Sequence, residues 1–573
     1  MSSQRFSVRM AQAPNELLSA DDAYEQLYSY NNLRWLWDAH EKNGCRYTKF
    51  NLPALVEVAE KTVSGSRCVD VFKYMEGSFN KAFLMTMEDG SQVVAKIPNP
   101  NAGRPHYTTA SEAATLVFLR DCLGIPVPKV LAYSSKKELN DIGTEYIIIE
   151  KAPGVELRNV WNDLKDREKI ETARQLSELV ARIGQCQFSH YGALYFADDI
   201  PEISGTLVNF KHLGMSVTPT EKRFAIGPTN DRRWFDDHRI DIDMYRGPWN
   251  NLHEFISAEV QREMTCIRKF NDYPKDKQLG FYNGPNAYTP TRHTKLSVLE
   301  DFTKIVEHVL PNHGGLLASI LWHNDLHAGN IFVDPENPTN IVSIIDWQTV
   351  PLAPLFTQAN FPRLILKYGT EPEELKQVPL PENFELLDSE EKHAARRLQT
   401  VQKMYHDSEL AFLQHCPDLQ LALANRHLIG FKLAKLARDI FNDGEPEMRR
   451  ILIKASKEWR GIVGVTSSRL PRISCPLAYS VDAIAQFEGD YKHWERDVSL
   501  KAAFMKSIHP AGWDGAIASE IFEETKSKLE NGLRHFLSQM ANSELEKWQW
   551  LSVWPFQDSD GSQRAALERR FLD

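Results

Sequence analysis

With 573 residues, 42 % of them hydrophobic and 25 % charged, the chain is too long for one core and too apolar for the disordered class, so two or more packed units are expected. A formal net charge of −10 excludes a global basic field that would condense on nucleic acid or an anionic membrane, and it favours a cationic or neutral substrate. Seven cysteines without a C-x-x-C pair argue against a disulfide framework or zinc ribbon and for a reducing compartment, and no apolar run is long enough to span a bilayer.

Residues 1–15 carry Arg5, Arg9 and three serines with no acid before Glu16, a composition compatible with a weak mitochondrial presequence. Residues 1–65 are read as an amino-terminal helical extension. From Val69 to Ile97 the apolar residues alternate, with Phe83, Met85 and Met87, then Val93, Ala95 and Ile97, around an Asp89-Gly90 turn, which predicts antiparallel strands. After a Pro/Asn/Gly breaker cluster, Thr109 to Arg120 has helical spacing, and Tyr146–Glu150 reads as a buried strand ending at Pro153-Gly154. These elements make a small sheet domain over 66–152. Residues 153–470 read as mostly helical, with Leu398, Val401, Tyr405 and Phe412 as one apolar stripe, and 471–573 as a helical extension with another from Ile521 to Met540. A stretch dense in Trp, Asp, Arg, Gly and Pro, about 196–300, reads as an insertion.

The sharpest signal is Leu321-Trp322-His323-Asn324-Asp325-Leu326-His327-Ala328-Gly329-Asn330, followed by an apolar strand from Ile341 that ends in Asp346-Trp347. Phosphoryl transfer needs a base near the attacking hydroxyl and oxygen ligands that hold Mg²⁺ on nucleotide phosphates. Asp325 is the expected base, Asn330 and Asp346 the expected metal ligands, and His323 a buttress of the loop. Singly, such residues are ordinary turn-formers. The five-residue step from Asp325 to Asn330 and the sixteen to Asp346, between apolar strands, tell against that reading. A rival is that His323, Asp325 and His327, at alternate positions, belong to a metallohydrolase ligand set.

The sheet domain supplies the other half. In Val93-Val94-Ala95-Lys96-Ile97, Lys96 is expected to reach nucleotide phosphates as a point charge, with Glu112 of the next helix holding it. Thr109-x-x-Glu112 also reads as a capping box, which would explain the glutamate by helix initiation alone. Gly77 and Ser78, in Glu76-Gly77-Ser78-Phe79-Asn80, form a candidate phosphate-covering loop, though a plain hairpin turn explains it equally well. Glu150-Lys151-Ala152 is the expected hinge, where the backbone of Glu150 and Ala152 would meet the adenine edge.

In this order the motifs resemble the aminoglycoside phosphotransferase and choline kinase family, over residues 70–155 and 310–360. Ile-Gly-Pro near 227 and Arg-Gly-Pro-Trp near 248 resemble the fungal altered-inheritance-of-mitochondria protein nine group within it. The resemblance implies an α+β, two-lobed protein-kinase-like fold, with a small antiparallel-sheet N-lobe and a large helical C-lobe. It also implies ATP and Mg as cofactors bound between the lobes, and a mitochondrial address in preference to a cytoplasmic one. Asp-Trp stands where protein kinases have Asp-Phe-Gly, and no Ala-Pro-Glu follows, which tells against an activation-loop switch, so the expected partner is a small-molecule hydroxyl acceptor, with no nucleic acid and with protein partners left open. The insertion, with Asp236, Asp237, Asp241 and Asp243 beside Arg232, Arg233, Arg239 and Trp234, is expected to cover the acceptor side, a solvated salt-bridged surface being the plainer reading. The alternative to an enzyme is a non-catalytic kinase-like module that binds nucleotide or a partner protein.

Overall fold

A computed structural model describes residues 6–11, 20–203, 207–208, 210–211, 221–366, 379–467, 469–509 and 514–559. The first core follows from strand alternation. Strands Asn80–Met87 and Gln92–Pro98 pair antiparallel with Phe83 opposite Ala95 and Met85 opposite Val93. Phe83, Met85, Met87, Val93, Ala95 and Ile97 therefore share one face, each buried to 1 % exposure or less. Helix Leu52–Thr62, capped by the Asn51 side chain on the Ala54 N–H, covers that face with Leu52, Leu55, Val56 and Ala59. Each of the larger buried side chains among these, the Leu, Ile, Val, Phe and Met, contributes roughly 1.5–3 kcal/mol. Lys96, between Ala95 and Ile97, must then stand on the opposite face.

The sheet has six strands in the order Ser7–Met10, Cys68–Lys73, Asn80–Met87, Gln92–Pro98, Tyr146–Glu150, Val130–Ser134. Every neighbour is antiparallel except the edge pair, where Ser7–Met10 runs parallel to Cys68–Lys73. That edge strand falls within the stretch with presequence composition, and Arg9 Nε donates to Asp70 at 2.9 Å. Residues 1–5 and 12–15 of the same stretch lie outside the described residues. The segment 1–65 is thus not purely helical, since it also contributes strand Arg34–Trp35.

After Glu150 the chain crosses closely over the C-lobe. At Gly154 φ is +80° and a Cβ would lie 2.2 Å from the Val333 carbonyl oxygen, so only glycine fits. Val155–Glu156 then joins Ile331–Val333 and Ile341–Ile344 in a three-stranded antiparallel sheet. Helices Asp166–Gly184 and Ser389–His415 pack on each other and carry much of the C-lobe core. Val401, Tyr405 and Phe412 are buried as expected, but Leu398 is 52 % exposed, because the longer helix is covered only from Thr400 onward.

In the insertion, Glu221–Gly227 pairs with Ala193–Phe196, and helix Leu252–Lys269 lies beside Arg292–Val309. Its charges largely pair with one another: Arg232 with Asp236 at 2.8 Å, Arg239 with Asp237 at 3.3 Å and with buried Glu263 at 2.9 Å. The carboxy-terminal helix Phe522–Met540 buries Leu529, Leu533, Phe536 and Leu537, while Ile521, just before it, is 41 % exposed. Those side chains form one aromatic-rich cluster with Trp37 of the amino-terminal segment and Phe281 of the insertion. Strand Ala516–Ile517 pairs with Arg34–Trp35, so the two ends of the described chain are clasped together. The architecture is the α+β two-lobed kinase-like fold expected. Among the described residues no helix is long and apolar enough to cross a membrane, and all seven cysteines are free thiols.

Candidate active site

The catalytic-loop motif is organised by a hairpin. Ile331 faces Ile344, so Asn330 and Ile345 are the next facing positions, and the Ile345 N–H donates to the Asn330 carbonyl at 3.0 Å. The sixteen-residue step from Asn330 to Asp346 in sequence is thus the span of a hairpin, with Asn330 facing the residue just before Asp346. Asp346 ends the strand with φ +65°, a left-handed conformation that Asp tolerates far better than a β-branched residue.

Across the cleft, Lys96 Nζ donates to Glu112 Oε1 at 2.7 Å and to Asp346 Oδ1 at 2.9 Å. Burial would lower the lysine pKa, but the Asp346 and Glu112 carboxylates outweigh it and hold the ammonium well above the usual lysine range. For Asp346, burial works upward and the Lys96 charge wins, keeping the carboxyl below its ordinary value. Burial raises the Glu112 carboxyl in spite of Lys96. The helix bearing Glu112 begins at Tyr107 after His106, which places Thr109 inside it and removes the capping-box explanation.

His323 is buried, with Nε2 on the Ile345 carbonyl at 3.0 Å and Nδ1 accepting the Asp325 N–H at 3.1 Å. Nδ1 must be unprotonated to accept, so the ring is the neutral Nε2–H tautomer, and burial lowers its pKa accordingly. Its edge packs on Trp347 at 4.6 Å between ring centroids. Both nitrogens are therefore committed to shaping the loop, and among the described residues no group of three or more His, Cys, Asp or Glu is arranged to hold a metal ion. The metallohydrolase arrangement does not form. Asn330 Nδ2 donates to the Asp325 carbonyl at 3.0 Å, which leaves its Oδ1 as the acceptor.

Asp325 itself is half-exposed, its Oδ1 accepting from Arg363 Nη1 at 2.7 Å and its Oδ2 3.7 Å from His327 Nε2. Arg363 carried no sequence signal, since it follows the motif by a long step in an unremarkable Phe-Pro-Arg run. Of the amino-terminal residues, Gly77 and Ser78 are exposed at the loop tip, with the Ser78 carbonyl accepting from Asn101 Nδ2 at 3.2 Å. At the hinge, the Glu150 carboxylate is taken by Arg120 at 2.6 Å and its N–H by the Lys129 carbonyl at 2.9 Å, while Ala152 is buried. Two contacts bridge the lobes beside the loop: Asn80 Nδ2 to Gln348 Oε1 at 2.7 Å, and the Arg232 guanidinium 3.7 Å over the Phe79 ring.

Glu76, next to Gly77, is a further residue that the sequence motif did not single out. Its fully buried carboxylate lies 2.9 Å from Lys81 Nζ and 3.4 Å from Lys73 Nζ and accepts the Asn31 N–H at 3.1 Å. Burial pushes Lys73 down to about 8. Glu76→Gln is expected to cost about 3–5 kcal/mol, because it leaves two buried ammonium groups without a counter-charge. A markedly lower thermal unfolding midpoint is the expected reading, and an unchanged midpoint would show that the pair does not anchor the loop.

Residues 76–238 and 258–357 match the phosphotransferase enzyme family. A subtelomeric hrmA-associated cluster protein of Aspergillus fumigatus is 26 % identical over 535 residues, covering 86 % of this chain and 97 % of its own. A protein named altered inheritance of mitochondria protein 9, mitochondrial, from Yarrowia lipolytica is 18 % identical over 530 residues, covering 88 % of this chain and 86 % of its own. The crystal structure of a macrolide 2'-phosphotransferase from Brachybacterium faecium superposes with a TM-score of 0.28 at 14 % identity, covering 68 % of this chain and 98 % of that one.

Proposed function

We propose, from the match of residues 76–238 and 258–357 to the phosphotransferase enzyme family, that the chain is a kinase that moves the γ-phosphoryl group of Mg-ATP to a hydroxyl of a small molecule, with Asp325 as the base. The observation that carries this reading is the meeting of Lys96, Glu112 and Asp346 across the cleft, beside an Asn330 whose amide is locked onto the Asp325 backbone. Lys96 and Glu112 come from a strand and a helix of the N-lobe, and Asn330 and Asp346 from the two arms of the C-lobe hairpin.

In the reaction Asp325 takes the acceptor hydroxyl proton, the oxygen bonds to the γ-phosphorus, and the bond to the β-phosphate oxygen breaks with its electron pair leaving on ADP. Arg363 holds one oxygen of Asp325 and fixes the carboxylate. Lys96 exchanges its contact with Asp346 for nucleotide phosphate while Glu112 keeps it in place. The donor set suits a hard cation: Asn330 Oδ1 and the ionised Asp346 carboxylate are the oxygens that would hold Mg²⁺, whose chemistry is to neutralise charge on the phosphates. Gly77 and Ser78 offer backbone and hydroxyl donors over the phosphates, and the backbone of Glu150 and Ala152 borders the adenine side.

The mitochondrial wording in the relatives' names supports a mitochondrial address for this chain as well. The test is incubation of the full chain with ATP, Mg²⁺ and a metabolite extract, read by mass spectrometry for a new phosphorylated small molecule. A product that disappears on chelating Mg²⁺ is expected. No product, together with no thermal stabilisation by Mg-ATP, where about 2.7 kcal/mol is expected at 100 times the Kd, would replace this reading with a non-catalytic binding module.

A further inference from the structure

Beside the catalytic loop lies a cavity of about 400 Å³. His323 and Asn324 form part of its wall, and Arg363, whose guanidinium reaches the Asp325 carboxylate, forms another part. None of its described lining residues comes from the N-lobe sheet. Its charges are one-sided: Arg233, Arg363, Lys435 and Arg438 line it against the single carboxylate of Asp439 among the described lining residues.

The guanidiniums are held from behind. Arg233 Nη2 donates to Asp231 at 2.6 Å, and Arg438 donates to Glu259 at 2.7 Å and to the same Asp231 at 3.3 Å. Each keeps further N–H donors, and the Arg438 side chain is only 3 % exposed. Lys435 makes no hydrogen bond or ion pair among the described residues. Burial first, and then the neighbouring Arg233, lowers the Arg438 pKa against the pull of Glu259 and Asp231, whereas Asp231 holds the Arg233 guanidinium above its usual range; Lys435 is exposed at the cavity rim, with Arg438 among the groups that lower its pKa.

We propose that this cavity binds an anionic group of the phosphoryl acceptor, a phosphate or a carboxylate, through Arg233, Lys435 and Arg438, so that the substrate is an acidic hydroxyl compound. Preorganised guanidiniums with spare donors match carboxylate and phosphate oxygens. The net charge of −10 pointed to a cationic or neutral substrate, but a whole-chain total says nothing about the sign of one cavity wall. The inference rests on the phosphotransferase reading for the identity of the ligand as the acceptor.

The test is calorimetric titration of the full chain with inorganic phosphate and, separately, with succinate, in the presence of saturating Mg²⁺ and a non-hydrolysable ATP analogue. Saturable binding of at least one is expected, with phosphate the tighter if the acceptor is a phosphate ester and succinate the tighter if it is a hydroxy acid. Lys435→Glu should weaken that binding about tenfold or more, about 1.4 kcal/mol, while thermal stabilisation by Mg-ATP stays as in the parent chain. No saturable binding of either anion, or binding that survives Lys435→Glu and vanishes in Lys96→Met, overturns the proposal. Mg-ATP binding without anion binding rejects this site and leaves the kinase reading standing. Anion binding lost in Lys435→Glu, without Mg-ATP binding, keeps the site and rejects the kinase.

Discussion

Asp325→Asn is expected to lower turnover about 10²–10⁴-fold, the range supplied by a positioned general base, while Mg-ATP binds with nearly unchanged affinity. Asparagine is isosteric with aspartate and can still accept from Arg363, which lies at 2.7 Å, so the loop geometry survives. The loop is also held independently of the Asp325 side chain: His323 accepts its backbone N–H, and Asn330 donates to its carbonyl. What disappears is the ability to take a proton. The measurement is kcat with the true acceptor alongside a nucleotide titration by thermal shift. Full turnover in the variant would remove Asp325 from the base role, and loss of nucleotide binding with folding intact would make it a ligand of the nucleotide complex instead.

Lys96→Met has the second large expected effect, on binding rather than on proton transfer. Methionine keeps the unbranched stem and removes the charge that Glu112 and Asp346 share at 2.7 and 2.9 Å. Two consequences follow from that single loss. The point charge for the nucleotide phosphates is gone, so Mg-ATP affinity should fall about tenfold or more, about 1.4 kcal/mol. In addition, the Glu112 and Asp346 carboxylates are left facing each other without their shared counter-charge, which should raise the Glu112 carboxyl further above its ordinary value than burial already does. Lys96→Arg should not restore activity, because a planar fork cannot replace a compact ammonium bridging two carboxylates. Nucleotide titration of both variants checks this, and parent-like affinity in Lys96→Met would sink the assignment.

Much of the scaffold was legible because its determinants are local. The alternation of Phe83, Met85 and Met87 with Val93, Ala95 and Ile97 fixes which face is buried, and hence that Lys96 stands opposite. The step from Asn330 to Asp346 reads as a hairpin because both flanks are apolar strands, and the register brings those two positions together. The helical stripe was legible in its middle and wrong at its end: Leu398 has the right spacing, but periodicity carries no information on where the covering helix stops. Glu112 had two readings in sequence, a cap or a lysine partner. Only the start of the helix at Tyr107 separated them.

By itself, then, the sequence determined the strand faces, the catalytic hairpin and the chemical types available at the cleft, all of which depend on neighbours within about twenty residues. The tertiary structure alone decided that Arg363 holds Asp325, that Glu76 is buried between Lys73 and Lys81, that four cations line one cavity, and that Trp37, Phe281 and Phe536 share a core. The reason is physical. Side-chain alternation and helical pitch act along the backbone, whereas the meeting of distant segments depends on how whole elements pack, and no local pattern encodes that path.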